Sequence, residues 1–153
     1  MRSLSIAVAL IAVATPSLFA QSLEGVWKPV VVEVDSGANS GRHTSDVQPG
    51  LIIFTKQHYS ILFVQGFAPR SQLSDSAKDD ELGRVFSPFT ANAGTYQRTD
   101  SSITFTPIVA KVPAVMSGRS FTLRARMKGD SLSLSRGFGG GGDRSTWIRV
   151  ERR

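Results

Sequence analysis

Phe121-Thr122-Leu123-Arg124-Ala125-Arg126-Met127-Lys128-Gly129-Asp130-Ser131-Leu132-Ser133-Leu134-Ser135 is the stretch that decides the architecture. Phe121, Leu123, Ala125 and Met127 alternate with Thr122, Arg124, Arg126 and Lys128, and Leu132 and Leu134 alternate with three serines. Successive side chains of a strand point to opposite faces, so each half of this stretch has one buried and one wet face. Lys128-Gly129-Asp130 turns the chain between them. The pattern predicts an antiparallel hairpin with Arg124 and Arg126 directed at solvent.

The same grammar extends in both directions. Val26 to Val34 is rich in β-branched residues and runs into the turn formers Asp35-Ser36-Gly37-Ala38-Asn39-Ser40-Gly41. Leu51-Ile52-Ile53-Phe54-Thr55 and Tyr59 to Val64 flank a short polar break, and Thr95 to Arg98 and Ser102 to Val109 flank Asp100-Ser101, so each pair predicts a hairpin. Thr146 to Glu151 makes a last strand. Eight strands joined mostly by tight turns predict an all-β, antiparallel up-and-down barrel, which leaves no exposed sheet edge. One segment breaks the rhythm. Leu73, Ala77, Leu82, Val85, Phe86 and Phe89 fall at helical spacings, Ser76 with Asp79 offers a helix start, and Ser87-Pro88 a stop. This insertion, over 66–92, is expected to lie beside the barrel or across one mouth, as a plug or as a lid.

The N-terminus reads as an address. Met1-Arg2, the apolar run from Leu4 to Ala14, Pro16 and Leu18-Phe19-Ala20 follow the order of a secretory signal peptide over residues 1–20. The run is about half the ~20 residues that a membrane-spanning helix needs. The expected mature chain, 21–153, is one domain, not membrane-spanning, and periplasmic or secreted. Only one Arg and no acid lie in the first 20 residues, so 17 basic residues face 12 acidic ones in the remainder. A net charge of +5 with interleaved signs does not call for a nucleic-acid partner. The sequence has no cysteine, so neither a disulfide nor a thiolate metal site is available.

Leu23-Glu24-Gly25-Val26-Trp27-Lys28 opens the first strand, and Ser145-Thr146-Trp147-Ile148-Arg149-Val150-Glu151-Arg152 forms the last. This pairing resembles the lipocalin and calycin barrels, including the fatty-acid-binding proteins. The central blocks Gly94-Thr95-Tyr96, Ile103 to Pro113 and Gly129-Asp130-Ser131-Leu132 are similar to those of bacterial lipocalin-like domain proteins. The resemblance implies an eight-stranded barrel, a structural closure in which Arg149 packs over Trp27, and binding of a small hydrophobic or amphipathic molecule. It also implies that basic side chains inside a cavity can hold a ligand carboxylate. Arg124 and Arg126 with Tyr96 would do so only if their strand were inverted.

The expected ligand-binding residues are the apolar ones of the inward faces: Phe54, Phe63, Tyr96, Phe105, Phe121, Leu123 and Met127. The competing expectation is that they fill the barrel, since eight strands enclose a space just wide enough for side chains. No nucleophile elbow, paired carboxylate or Cys–His arrangement is visible, so no catalytic residue, cofactor or metal is expected. His43 and His58 stand apart in turn regions without an evident acidic partner. Gly137-Phe138-Gly139-Gly140-Gly141-Gly142-Asp143 lacks the Lys-Ser/Thr and the helix of a phosphate-binding loop and reads as a strand connection. The leading expectation is a monomeric, non-catalytic binder. The alternative is an envelope or protein-interaction module with a filled barrel and the basic stripe Arg124, Arg126 and Lys128 outside. A third reading, an enzyme acting on a bound ligand, would need a titratable group in a cavity.

Overall fold

The computed structural model describes residues 22–116, 118–136 and 142–152. The expected signal peptide and most of the glycine-rich connection lie outside the described residues. Nine strands follow in sequence: β1 (Gly25–Val34), β2 (Gly41–His43), β3 (Gly50–Phe54), β4 (His58–Val64), β5 (Phe89–Arg98), β6 (Ser102–Ala110), β7 (Phe121–Lys128), β8 (Ser131–Ser135) and β9 (Arg144–Glu151). All pairings are antiparallel, each strand from β3 to β8 pairs with the next, and β1 pairs with both β3 and β9 to close the cylinder.

The barrel has eight positions, as the sequence predicts, because β2 and β3 share one. Gly25–Trp27 of β1 pairs with β3, and Val32–Val34 pairs with β2 on the same edge. Residues 44–49 leave the ladder between them. The wall is therefore interrupted opposite Pro29, which itself brings no backbone N–H to the ladder.

The three expected hairpins form, and the third has the expected faces. In β7 the pattern is Arg124, Arg126 and Lys128 exposed with Ala125 buried between them, and β8 buries Leu132 and Leu134. Two boundaries differ from the sequence reading. β5 starts at Phe89 rather than near Thr95, because pairing with β4 down to Val64↔Phe89 supplies partners that local pattern does not reveal. The helix, α1 (Asp79–Phe86), starts later than Ser76 suggests: Lys78 occupies the N-cap and Glu81 reaches back to its backbone N–H at 2.9 Å. None of its residues is buried, and Phe86 is 52% exposed, so α1 is not a plug. Lys111 holds its C-terminal end through the carbonyls of Phe86, Ser87 and Phe89. Gly94 sits at a β5–β6 register shift, where any Cβ would run into the Thr106 carbonyl.

One end of the barrel is sealed by side chains. The Arg149 guanidinium lies 4.3 Å from the centre of the fully buried Trp27 ring. Trp27 Nε1 donates to the Leu23 carbonyl at 2.9 Å, and Arg149 donates to the carbonyls of Glu24 and Ser22, the latter at 2.7 Å. Arg149 Nε is 3.0 Å from Asp130 Oδ1 with its N–H aimed off that oxygen, an ion pair rather than an aligned hydrogen bond. Burial lowers the Arg149 pKa from its ordinary value and Asp130 opposes that. Trp27→Ala removes the centre of this seal and is expected to cost about 3–5 kcal/mol in urea denaturation. A loss under 1 kcal/mol would show that the ring carries little of the packing.

Candidate binding site: a half-filled barrel

The interior divides by height. Near the Trp27 end it is solid. Phe54 and Phe105 are fully buried and meet an aromatic cluster: Tyr96 lies edge-on to Phe54 at 5.0 Å, and Tyr59 edge-on to Phe105 at 4.7 Å. Ile52, Ile103 and Leu132 complete the packing, with Met127 against it beside Arg149.

Towards the other end the interior opens into a cavity of about 490 Å³. Its apolar wall comes from Val32 of β1, Ile61 and Phe63 of β4, Phe121 and Leu123 of β7, Leu134 of β8 and Trp147 of β9. Phe121 stacks on Phe105 at 5.1 Å and so joins the wall to the packed half. The volume lies within the ~300–1,000 Å³ common for small-molecule sites.

Polar groups sit at two levels. Deep in the cavity is Asn92 of β5, whose Oδ1 accepts from the Tyr59 hydroxyl at 2.7 Å. At the rim are Gln48, Gln65, Ser135, Arg136, Asp143, Arg144 and Ser145. Arg144 and Arg42 both pair with Glu33, at 3.4 and 2.8 Å, and Trp147 Nε1 donates to Ser145 Oγ at 2.8 Å. The strand interruption contributes too, since Val47, Gln48 and Pro29 border the cavity.

Of the seven residues expected to bind ligand, Phe63, Phe121 and Leu123 line this space, whereas Phe54, Tyr96, Phe105 and Met127 lie outside its walls, in or against the packed core. Strand alternation separates inside from outside but carries no information about height, which depends on the register between strands. Arg124 and Arg126 are exposed on the outer face, so neither can serve as an internal carboxylate anchor. Asn92, Leu134 and Trp147 were not legible as wall residues, although each lies inward by strict alternation in its own strand.

His43 differs from its sequence reading. Its Nδ1 lies 2.9 Å from Asp46 Oδ2, its Nε2 2.9 Å from the Asn39 carbonyl, and its ring stacks on Phe67. The acidic partner three residues on becomes apposed only because the chain leaves the ladder after β2. Among the described residues no three His, Cys, Asp or Glu side chains gather to hold a metal ion, and no helix is long and apolar enough to cross a membrane.

The first strand meets the last, the succession is up-and-down throughout, and Arg149 covers Trp27 at one end. The barrel is lipocalin-like. Known structures include a lipocalin-like protein from Bacteroides uniformis, 16% identical, covering 84% of this chain and 98% of that one with a TM-score of 0.48. An uncharacterized protein from Bacteroides eggerthii is 11% identical over 84% of this chain and 100% of that one, also with a TM-score of 0.48. No protein-family model matches the sequence, and no curated protein matches it either.

The lipocalin-like interior is tested by its two tyrosines. Burial pushes the Tyr59 hydroxyl up to about 12, and burial followed by the nearby Glu24 charge raises Tyr96 above its ordinary 10.0. An unfolded chain ionises near 10, so the stability held below pH 10 is lost as pH rises towards 12. Absorbance titration of the folded protein at 295 nm is expected to show no tyrosinate step at 10. A normal step there, with the near-ultraviolet circular dichroism intact, would contradict the packed half.

Proposed function

We propose that the protein binds a compact hydrophobic or amphipathic small molecule in the open half of its barrel, without chemistry on it. The observation that carries this reading is the 490 Å³ cavity resting on a packed floor. An apolar wall of Phe63, Phe121, Leu123, Leu134 and Trp147 removes the body of such a ligand from water, at about 25 cal/mol per Å² buried. Asn92 offers a hydrogen-bonding group at depth, and Arg136 and Arg144 with the rim amides and serines receive a polar head.

The packed half sets the shape of the ligand. Phe54, Phe105, Tyr59 and Trp27 occupy the space into which a long extended chain would reach, so a short, broad molecule fits better than a straight long-chain acyl group. The N-terminal sequence supports export, so the ligand is met in the periplasm or outside the cell. The cavity also favours this reading over a fully filled barrel acting through its outer face.

8-Anilinonaphthalene-1-sulfonate, a compact amphiphile with an anionic head, is expected to bind one site with blue-shifted emission. Leu123→Asn is expected to weaken it about tenfold, worth ~1.4 kcal/mol. Leu51→Asn, on the exposed face of β3, is expected to leave it unchanged. Equal effects of both changes, or no saturable binding of this probe or of a broader panel of compact amphiphiles, would refute the proposal.

A further inference from the structure

The space around the barrel mouth has two compartments. Besides the inner cup there is an outer groove between residues 65–73 and α1, which Arg70, Glu81, Arg84 and Val85 help to line. Among the described residues the two compartments share four wall residues: Asn39, Gln65, Gly66 and Phe67. Phe67 is the one bulky side chain among them, so it stands as the partition between groove and cup.

Its attachment is one-sided. Gln65 is held by the barrel, its N–H donating to the Pro88 carbonyl at 2.8 Å and its Nε2 to Thr90 Oγ1 at 2.9 Å. Gly66 follows with φ of +85°, a conformation that L side chains rarely adopt, and a Cβ there would meet open space. Phe67 is the first side chain beyond this glycine, about whose unhindered backbone the chain can turn. The Phe67 ring stacks on the His43 ring, 3.5 Å between centroids and 12° between planes.

Both nitrogens of that imidazole face acceptors, a carboxylate and a carbonyl, at 2.9 Å each. A neutral imidazole has one N–H and can serve only one of them, while the imidazolium serves both. A face-to-face stack on a phenyl ring is likewise favoured when the upper ring is positive. The contact thus joins three segments, 39–43, 46–48 and 65–67, each bordering the cup, and it is complete only in the protonated state. We propose that Phe67 is the door between the outer groove and the cup, that protonated His43 latches it shut, and that it swings open on Gly66 as His43 loses its proton. This inference rests on the proposed ligand binding for its purpose, but not for its geometry.

The charged surroundings are simple. Asp46 is the carboxylate facing His43, and it raises the His43 pKa above the ordinary 6.5, first through the hydrogen bond, with the Asn39 carbonyl adding to it. On the adjoining strands Glu33 and Arg42 pair with each other at 2.8 Å. Beyond Phe67, the charges lining the groove are Arg70, Glu81 and Arg84; Arg84 pairs with Asp80 at 3.3 Å, and Arg70 lies over Phe89 at 5.5 Å. The latch is therefore complete below pH 6.5 and is lost as pH rises through the raised His43 value.

Two readouts separate the door from the ligand. In the ligand-free protein, acrylamide quenching of Trp147, on the cup wall, reports access through the mouth, while Trp27 stays sealed under Arg149. In the loaded protein, stopped-flow release of 8-anilinonaphthalene-1-sulfonate reports exit. Between pH 5.5 and 9 both are expected to rise about tenfold with one midpoint above 6.5, the scale of one lost charge-assisted hydrogen bond. His43→Gln should flatten both profiles, Asp46→Asn should move the midpoint down, and Phe67→Ala should give fast access at every pH. Near-ultraviolet circular dichroism checks that each variant is folded. A flat quenching profile in the wild type, or a pH step that survives in His43→Gln, where His58 remains, would overturn the proposal. Failure of the probe to bind would count against the ligand reading alone, since the quenching experiment decides the door without it.

Discussion

The contact between Arg149 and Trp27 is the constraint on which the rest of this barrel depends. Arg149 belongs to the last strand and Trp27 to the first, so their stacking closes the cylinder where its two ends meet. The same guanidinium binds the carbonyls of residues 22 and 24 and faces Asp130 in the β7–β8 turn. A single cation thereby ties two carbonyls of the chain entry, one exposed and one part-buried, to the last strand. Its charge is tolerated in a confined place because Asp130, itself held low by Arg152 and then Arg149, stands beside it.

Sealing one end decides what the other can do. With Trp27 as a base plate, Phe54, Phe105, Tyr59 and Tyr96 pack above it edge to face, and the interior is solid to about the level of Phe105. Beyond them Phe63, Phe121, Leu123, Leu134 and Trp147 line an open space instead of filling it. Stability is concentrated in the lower half and space in the upper half. Adaptable parts can then sit around the mouth, among them the 44–49 excursion and the segment after Gly66, without exposing the core.

Much of the fold was legible because alternation and turn chemistry are local. The β7–β8 hairpin is visible in its own fifteen residues, and so is the outward direction of Arg124 and Arg126. The shared barrel position of β2 and β3 was not, because Gly41–His43 looks like part of a long turn until Val32–Val34 lies beside it. Height along the barrel was hidden for the same reason. Phe105 and Phe121 have equal credentials as inward aromatics, and only their pairing across β6 and β7 shows that they stack, one in the floor and one in the wall. His43, Asp46 and Phe67 form one cluster from three segments, which no spacing in the sequence announces.

The division of the interior into a packed base and an open cup is the central claim, and a chemical-shift map of ligand binding tests it most directly. Titration of isotopically labelled protein with a compact amphiphile should perturb residues 61–67, 90–92, 121–123, 134–136 and 143–147. The amides around Phe54, Ile103 and Phe105 should hold still. Perturbation centred on that packed base, or spread over the outer face around Ile108 and Val109, would contradict the account.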